Sequence, residues 1–131
     1  MAAMETNLMN VVRNTKYPLE AFLFVQRGLD YTVRKMHGEA GAKADPASRH
    51  VDGRQLCLGL RDFAIEQYGL LARPVLRRWH IHSCADFGHI VFAMVDAGLM
   101  QKTEHDSLDD FCNVFDFPEA FSRELLLTEN A

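Results

Sequence analysis

The chain has 131 residues, 48% of them hydrophobic and 24% charged, with a formal net charge of −4. That is one domain's worth of ordinary globular composition, long enough to build a core without disulfide or metal staples. The mild negative charge gives no global attraction to nucleic acid or an anionic membrane, and no apolar run approaches the ~20 residues needed to cross a bilayer.

Residues 5–14 suit a short helix with Leu8, Val11 and Val12 on one side. Pro18 then opens a stronger one, since proline fits the first helical position, where its missing N–H would be unpaired anyway. Phe22, Val25, Leu29, Val33 and Met36 recur at steps of three and four, and Leu19, Leu23 and Phe24 broaden that stripe, which predicts cover on more than one side. Gly38 is the expected stop. Residues 38–50, GEAGAKADPASRH, have no periodicity and read as the one linker.

Asp52 and Gln55 form a capping-box pattern for the next helix, whose inner stripe is Leu56, Leu60, Phe63 and Ala64 with Tyr68 at its end. Gly69 ends it. Pro74 restarts a short helix carrying Val75, Leu76 and Trp79 inside and Arg73, Arg77 and Arg78 outside. After His80-Ile81-His82, Ser83 caps the clearest helix of the chain, with Asp86 three residues on, and Phe87, Ile90, Val91, Met94 and Val95 make its buried stripe. Phe92 falls off the stripe and is expected either under the N-terminal hairpin or at an interface. Residues 101–103 read as a short strand. Residues 111–117 alternate with period two, Phe111, Asn113, Phe115 and Phe117 sharing one side, which reads as a second strand. A short helix over 108–114, or one turn capped by Ser107 and Asp110, competes with it. Pro118 blocks further pairing, and residues 119–127 suit a terminal helical segment.

The expected fold is therefore mainly α. Its C-terminal half, 51–121, is winged-helix-like: a helix-turn-helix followed by a short β-hairpin. An N-terminal helical hairpin, 1–37, covers it, and 122–131 is a tail. The whole is a single domain, 1–131.

Several constellations bear on chemistry. His80 and His82 alternate, as two ligands of a zinc site would, and Cys84, Asp86, His89 and His105 are the residues able to complete one. With no closely spaced third ligand, ordinary loop histidines are the simpler account, and His80, His82 and Cys84 stay weak candidates. Cys57, Cys84 and Cys112 are an odd set without a CxxC, which fits reduced thiols in a cytoplasm. Cys84 in a first helical turn is the one thiol placed for a lowered pKa, but a nucleophile needs a positioned base. No signal peptide, P-loop, GxGxxG, GxSxG or HExxH is present.

Winged helices read DNA with the second helix of the turn. Here that helix has no Lys or Arg between Trp79 and Lys102, and Ala85, Asp86, His89, Phe92, Ala93 and Asp96 are its expected outward residues. Aspartates would repel phosphate, and none of the six is a side chain that reads base edges well. Arg73, Arg77 and Arg78 remain as possible phosphate contacts. Conversely Glu104, Asp106, Asp109, Asp110, Asp116 and Glu119 gather with no Lys or Arg from Glu104 to Ser122. This is a solvated face, an intramolecular match to the three arginines, or a docking surface for a basic partner with Phe111, Phe115 and Phe117 as aromatic anchors.

The blocks YPLEAFLFVQRGLDYTVRK, QLCLGLRDFAIEQYGLLARPVLRRW and DFGHIVFAMVDAGLMQKTEHDSLDDFCNVFDFPEAF resemble a family of short conserved hypothetical proteins found mainly in Planctomycetes and Verrucomicrobia. The resemblance spans residues 17–121 apart from the linker. It implies a bacterial, cytoplasmic, stand-alone protein, and it carries no activity and no functional residue.

The favoured expectation is a non-catalytic protein–protein interaction or assembly module, monomeric or homodimeric, with a basic protein partner. It has no cofactor, metal, catalytic residue or membrane contact. The first alternative is a winged-helix DNA-binding regulator using Arg73, Arg77 and Arg78. A metal- or thiol-dependent enzyme is the least favoured.

Overall fold

The computed structural model describes residues 2–42, 50–123 and 126–127, with 2–7 and 39–42 described by their backbone alone. The order is α1 (Ala2–Arg13), α2 (Leu19–Ala42), α3 (Gly53–Tyr68), a 3-10 turn (Gly69–Leu71), α4 (Ala72–Arg78), α5 (Cys84–Asp96), a second 3-10 turn (Leu108–Phe111) and α6 (Phe117–Ala120). The fold is mainly helical, and no strand occurs among the described residues.

Local chemistry sets most boundaries. The Asp52 carboxylate accepts from Gln55 N at 2.7 Å while the Gln55 side chain accepts from Asp52 N at 3.0 Å, so the expected capping box opens α3. Ser83 and Asp86 open α5 in the same way. Gly38 interrupts α2 at φ 73°, ψ −179°, a conformation open essentially to glycine alone. Helical backbone then resumes to Ala42, so the expected linker is shorter than 38–50, and its stretch 43–49 lies outside the described residues.

The core is shared by α2, α3 and α5. Phe22, Val25, Leu56, Cys57, Leu60, Phe87, Ile90 and Met94 are all buried. α2 meets α3 through small residues. A Cβ on Gly28 would lie 2.2 Å from Leu60 Cδ2, and one on Gly59 would lie 1.9 Å from Thr32 Oγ1. Thr32 is itself buried, and its hydroxyl donates to Gly28 O at 2.7 Å. Phe24 is covered on several sides, as its place on a broad stripe predicts: its ring lies 5.3–6.4 Å from those of Phe63, Tyr68, Trp79 and Phe87. At the far end of the α2 stripe Met36 is 41% exposed. In the expected tail, Leu126 is buried.

Three expectations need correction. The helix-turn-helix order of α4 and α5 is present, but the β-hairpin is not. Residues 101–103 form no strand, and 111–117 are not extended, because Asn113 takes a left-handed φ of 54°. Two capped turns replace the ribbon. Ser107 N donates to Asp110 Oδ2 at 3.0 Å, and Asp116 Oδ2 accepts from Glu119 N at 3.1 Å. Pro118 sits in the first turn of α6, where its missing donor costs nothing. Phe92 is met by this turn: its ring is edge-on to Phe111 at 6.2 Å. Finally, Asp86 does not face outward. It is 7% exposed.

Candidate functional site

The acidic stretch is a loop seated against the N-terminal end of α3. A Cβ on Gly53 would lie 2.7 Å from Asp110 Cβ and 2.8 Å from the Phe111 ring, and Gly88 on α5 is approached as closely by Phe111 and Leu108. Glycine at these two positions lets the 3-10 turn seat on both helices at once.

Its carboxylates divide by role. Asp106 accepts from Thr103 N at 2.8 Å and faces His50 Nε2 at 3.3 Å. Asp110 and Asp116 are the caps described above. Glu104, Asp109 and Glu119 are exposed and have no side-chain partner among the described residues. Two of the three phenylalanines are not surface anchors. Phe111 and Phe117 are buried, and Phe117 contacts Phe87 at 5.8 Å. Half-buried Phe115 stacks on Phe117 at 5.1 Å and lies under the Arg61 guanidinium at 6.0 Å. Leu108, not singled out by periodicity, is 41% exposed among these acids. Beside the loop is a cleft of about 940 Å³ lined by His50, Asp52, Arg54, Lys102, His105 and Asp110, among others.

Beyond the opposite end of α3, whose last turn carries exposed Glu66, lie the arginines of α4. The turn Gly69–Leu71 leaves Leu70 48% and Leu71 64% exposed. Arg77 and Arg78 are exposed in the last turn of α4, and Arg73 is half-buried at its start. No carboxylate occurs from Gln67 to Ala85. The leucine pair is the surface that sequence reasoning missed, although two large apolar residues directly after the helix-ending Gly69 are a legible signal. With α3 16 residues long, the acidic and basic ends stand roughly 24 Å apart at 1.5 Å per residue. That is about three Debye lengths at physiological salt. The arginines therefore do not neutralise the acidic loop within one molecule.

The His80–Cys84 stretch scatters. His80 and His82 are exposed, and His80 has a left-handed φ of 65°. Cys84 is buried, and its thiol donates to Phe115 O at 3.4 Å. The neighbouring Cys84 thiol and then burial push the Cys57 pKa up, while the Cys57 thiol draws that of Cys84 down against its own burial. Among the described residues no histidine hydrogen-bonds either thiol. Among the described residues no three His, Cys, Asp or Glu side chains are placed to hold a metal ion.

One polar cluster was invisible in sequence. Tyr17 OH donates to Asp86 Oδ1 at 2.5 Å, and His89 Nδ1 lies 3.4 Å from the same hydroxyl. Asp86 Oδ2 accepts from His82 N at 2.8 Å and Ser83 N at 3.1 Å, and Lys16 Nζ stands 3.7 Å from Oδ1. Burial raises the Asp86 carboxyl, but the bonds from Tyr17, His82 and Ser83 and the Lys16 charge outweigh it, leaving its pKa below the ordinary carboxylate range. Burial and the Asp86 charge push the Tyr17 phenol well up. Both groups therefore hold their neutral-pH states firmly, which suits a fixed strut between the N-terminal segment and α5 better than proton transfer.

No protein family, curated protein or solved structure matches the chain. Among the described residues no helix is long and apolar enough to cross a membrane.

Proposed function

We propose that the chain is a non-catalytic protein–protein interaction or assembly module, and that the acidic loop at the N-terminal end of α3 is a binding surface for a basic partner. The observation that carries this reading is the division of labour among the carboxylates. Asp106, Asp110 and Asp116 stiffen the loop, Phe111 anchors it, and Glu104 and Asp109 are left outward on a fixed frame with no Lys or Arg in the segment. A rigid anionic display costs little ordering entropy on binding and steers a cationic partner. The three free thiols support a reducing, cytoplasmic setting.

The test is capture from native extract with wild type and with a Glu104→Lys/Asp109→Lys variant, which spares the capping aspartates. Wild type is expected to capture a partner that weakens with salt and that the variant loses at an unchanged Tm. Identical captures at every salt concentration would reduce the acidic face to solvation.

The exposed Arg77 and Arg78 favour one second reading, a DNA-binding regulator built on the α4–turn–α5 unit. Against it stand the missing wing and an α5 whose exposed side chains include His89 and Asp96 but no Lys or Arg. Submicromolar binding of mixed-sequence duplex at physiological salt, abolished by Arg77→Ala/Arg78→Ala, would favour it over the module.

A further inference from the structure

We propose that the chain docks head to tail on a second copy of itself, with the Leu70–Leu71 corner and its arginines seated on the acidic loop, residues 104–110, of the next copy. This rests on the interaction-module reading above and names its partner.

The starting observation is the corner. Two adjacent leucines, 48% and 64% exposed, project from a tight turn beside exposed Arg77 and Arg78. An apolar centre with a charged rim is the makeup of a small interface, and arginine is enriched there. Such a corner needs a partner that offers apolar surface within a field of negative charge. The chain carries that surface: Leu108, 41% exposed, between Glu104 and Asp109 on a turn held rigid by its caps.

The two ends cannot satisfy each other within one molecule, because α3 holds them about 24 Å apart. Translating a second copy along the α3 axis brings opposite signs together at every junction. A twofold contact of either patch with itself would set arginine against arginine or carboxylate against carboxylate. The contact therefore pairs unlike patches, and it closes as an antiparallel twofold dimer or a ring, or propagates into a short filament. Both patches are small, so association is weak and concentration-dependent.

Two variants each disable one end: Arg77→Glu/Arg78→Glu leaves only the acidic end, and Glu104→Lys/Asp109→Lys leaves only the basic end. All four residues are exposed, so both variants are expected to keep the wild-type circular dichroism and Tm. In sedimentation velocity at low salt, the weight-average mass of wild type is expected to rise with concentration and to fall back to monomer when salt is added. Each variant alone stays monomeric, because both of its ends carry one sign, and an equimolar mixture associates again, because the native ends of the two variants are complementary and so are their reversed ends. A wild type that stays monomeric at every concentration overturns the proposal, as does a dimer that both variants retain, or a mixture that stays monomeric while wild type associates. If wild type stays monomeric but the acidic variant still loses a captured protein, the module reading survives and only the self-docking fails. A flotation arm with phosphatidylserine vesicles covers the other anionic surface. Wild type floating with them, Arg77→Glu/Arg78→Glu not floating and no self-association in solution would assign the corner to a lipid face and overturn the proposal.

Discussion

The Tyr17–Asp86 strut makes the sharpest demand on stability. Tyr17→Phe removes one hydroxyl and leaves the buried ring in place. The lost contact is a hydrogen bond to an ionised, buried carboxylate, a class that contributes about 1.5–3 kcal/mol. Asp86 keeps its bonds from His82 N and Ser83 N, so the cost belongs at that scale and not at the level of an uncompensated buried charge. For a chain of 131 residues that is roughly 5–10 °C in Tm. The pH profile separates this from a packing loss. Asp86 has a depressed pKa when folded, so its contribution is complete above the unfolded-state value near 4 and fades as pH falls through the lower folded value. Tyr17 is shifted the other way: its contribution is complete below about pH 10 and fades as pH rises beyond it. The Tm gap between wild type and Tyr17→Phe is therefore expected to be widest and flat near neutrality and to narrow on both sides. Thermal melts followed by circular dichroism from acid to alkaline pH measure it. A variant that melts with wild type at neutral pH, or a gap that stays constant into acid, would refute the reasoning.

Gly59→Ala is expected to cost about 1–3 kcal/mol, because its Cβ would strike Thr32 Oγ1 and force α2 off α3, and Thr32→Ala in the same chain should recover part of that loss in denaturant titration. Val91→Asp places a carboxylate where only 7% of the residue is exposed, so its unfolding free energy should drop by more than the ~2–5 kcal/mol of an ordinary core truncation. An unchanged Tm would mean the α5 stripe is not core.

What was legible in sequence was local. Asp52 with Gln55 and Ser83 with Asp86 are three apart and open helices where expected, and Phe87, Ile90, Val91 and Met94 are buried as their spacing requires. The strand reading of 111–117 fails because two local codes overlap there, and the competing turn capped by Ser107 and Asp110 is the one that forms. Phe111, Phe115 and Phe117 alternate like a strand, yet Ser107 with Asp110 and Asp116 with Glu119 have the spacing of capped turns. Asn113 settles the contest: asparagine tolerates the left-handed conformation, which ends an extended run. The phenylalanines are then drawn inward by Gly53 and Gly88, glycines whose purpose shows only once the turn lies on them. The Tyr17–Asp86 contact spans 69 residues and leaves no local trace.

The charges show the same division between composition and position. Six carboxylates in one segment and three arginines in another are plain in sequence, and a match between them within the molecule was open on that basis alone. The outcome depends on α3. The acidic turn rests on Gly53, its first residue, and the arginines follow Tyr68, its last, so one uninterrupted helix holds the opposite charges apart. Periodicity can predict that such a helix exists, but which loop folds back to its first turn is a tertiary fact. Had the turn settled instead near Gly69, the same residues would form an internal ion-pair network with nothing left to display. Placed as they are, the acidic turn and the three arginines lie at opposite ends of α3, each with an exposed leucine near it in the chain.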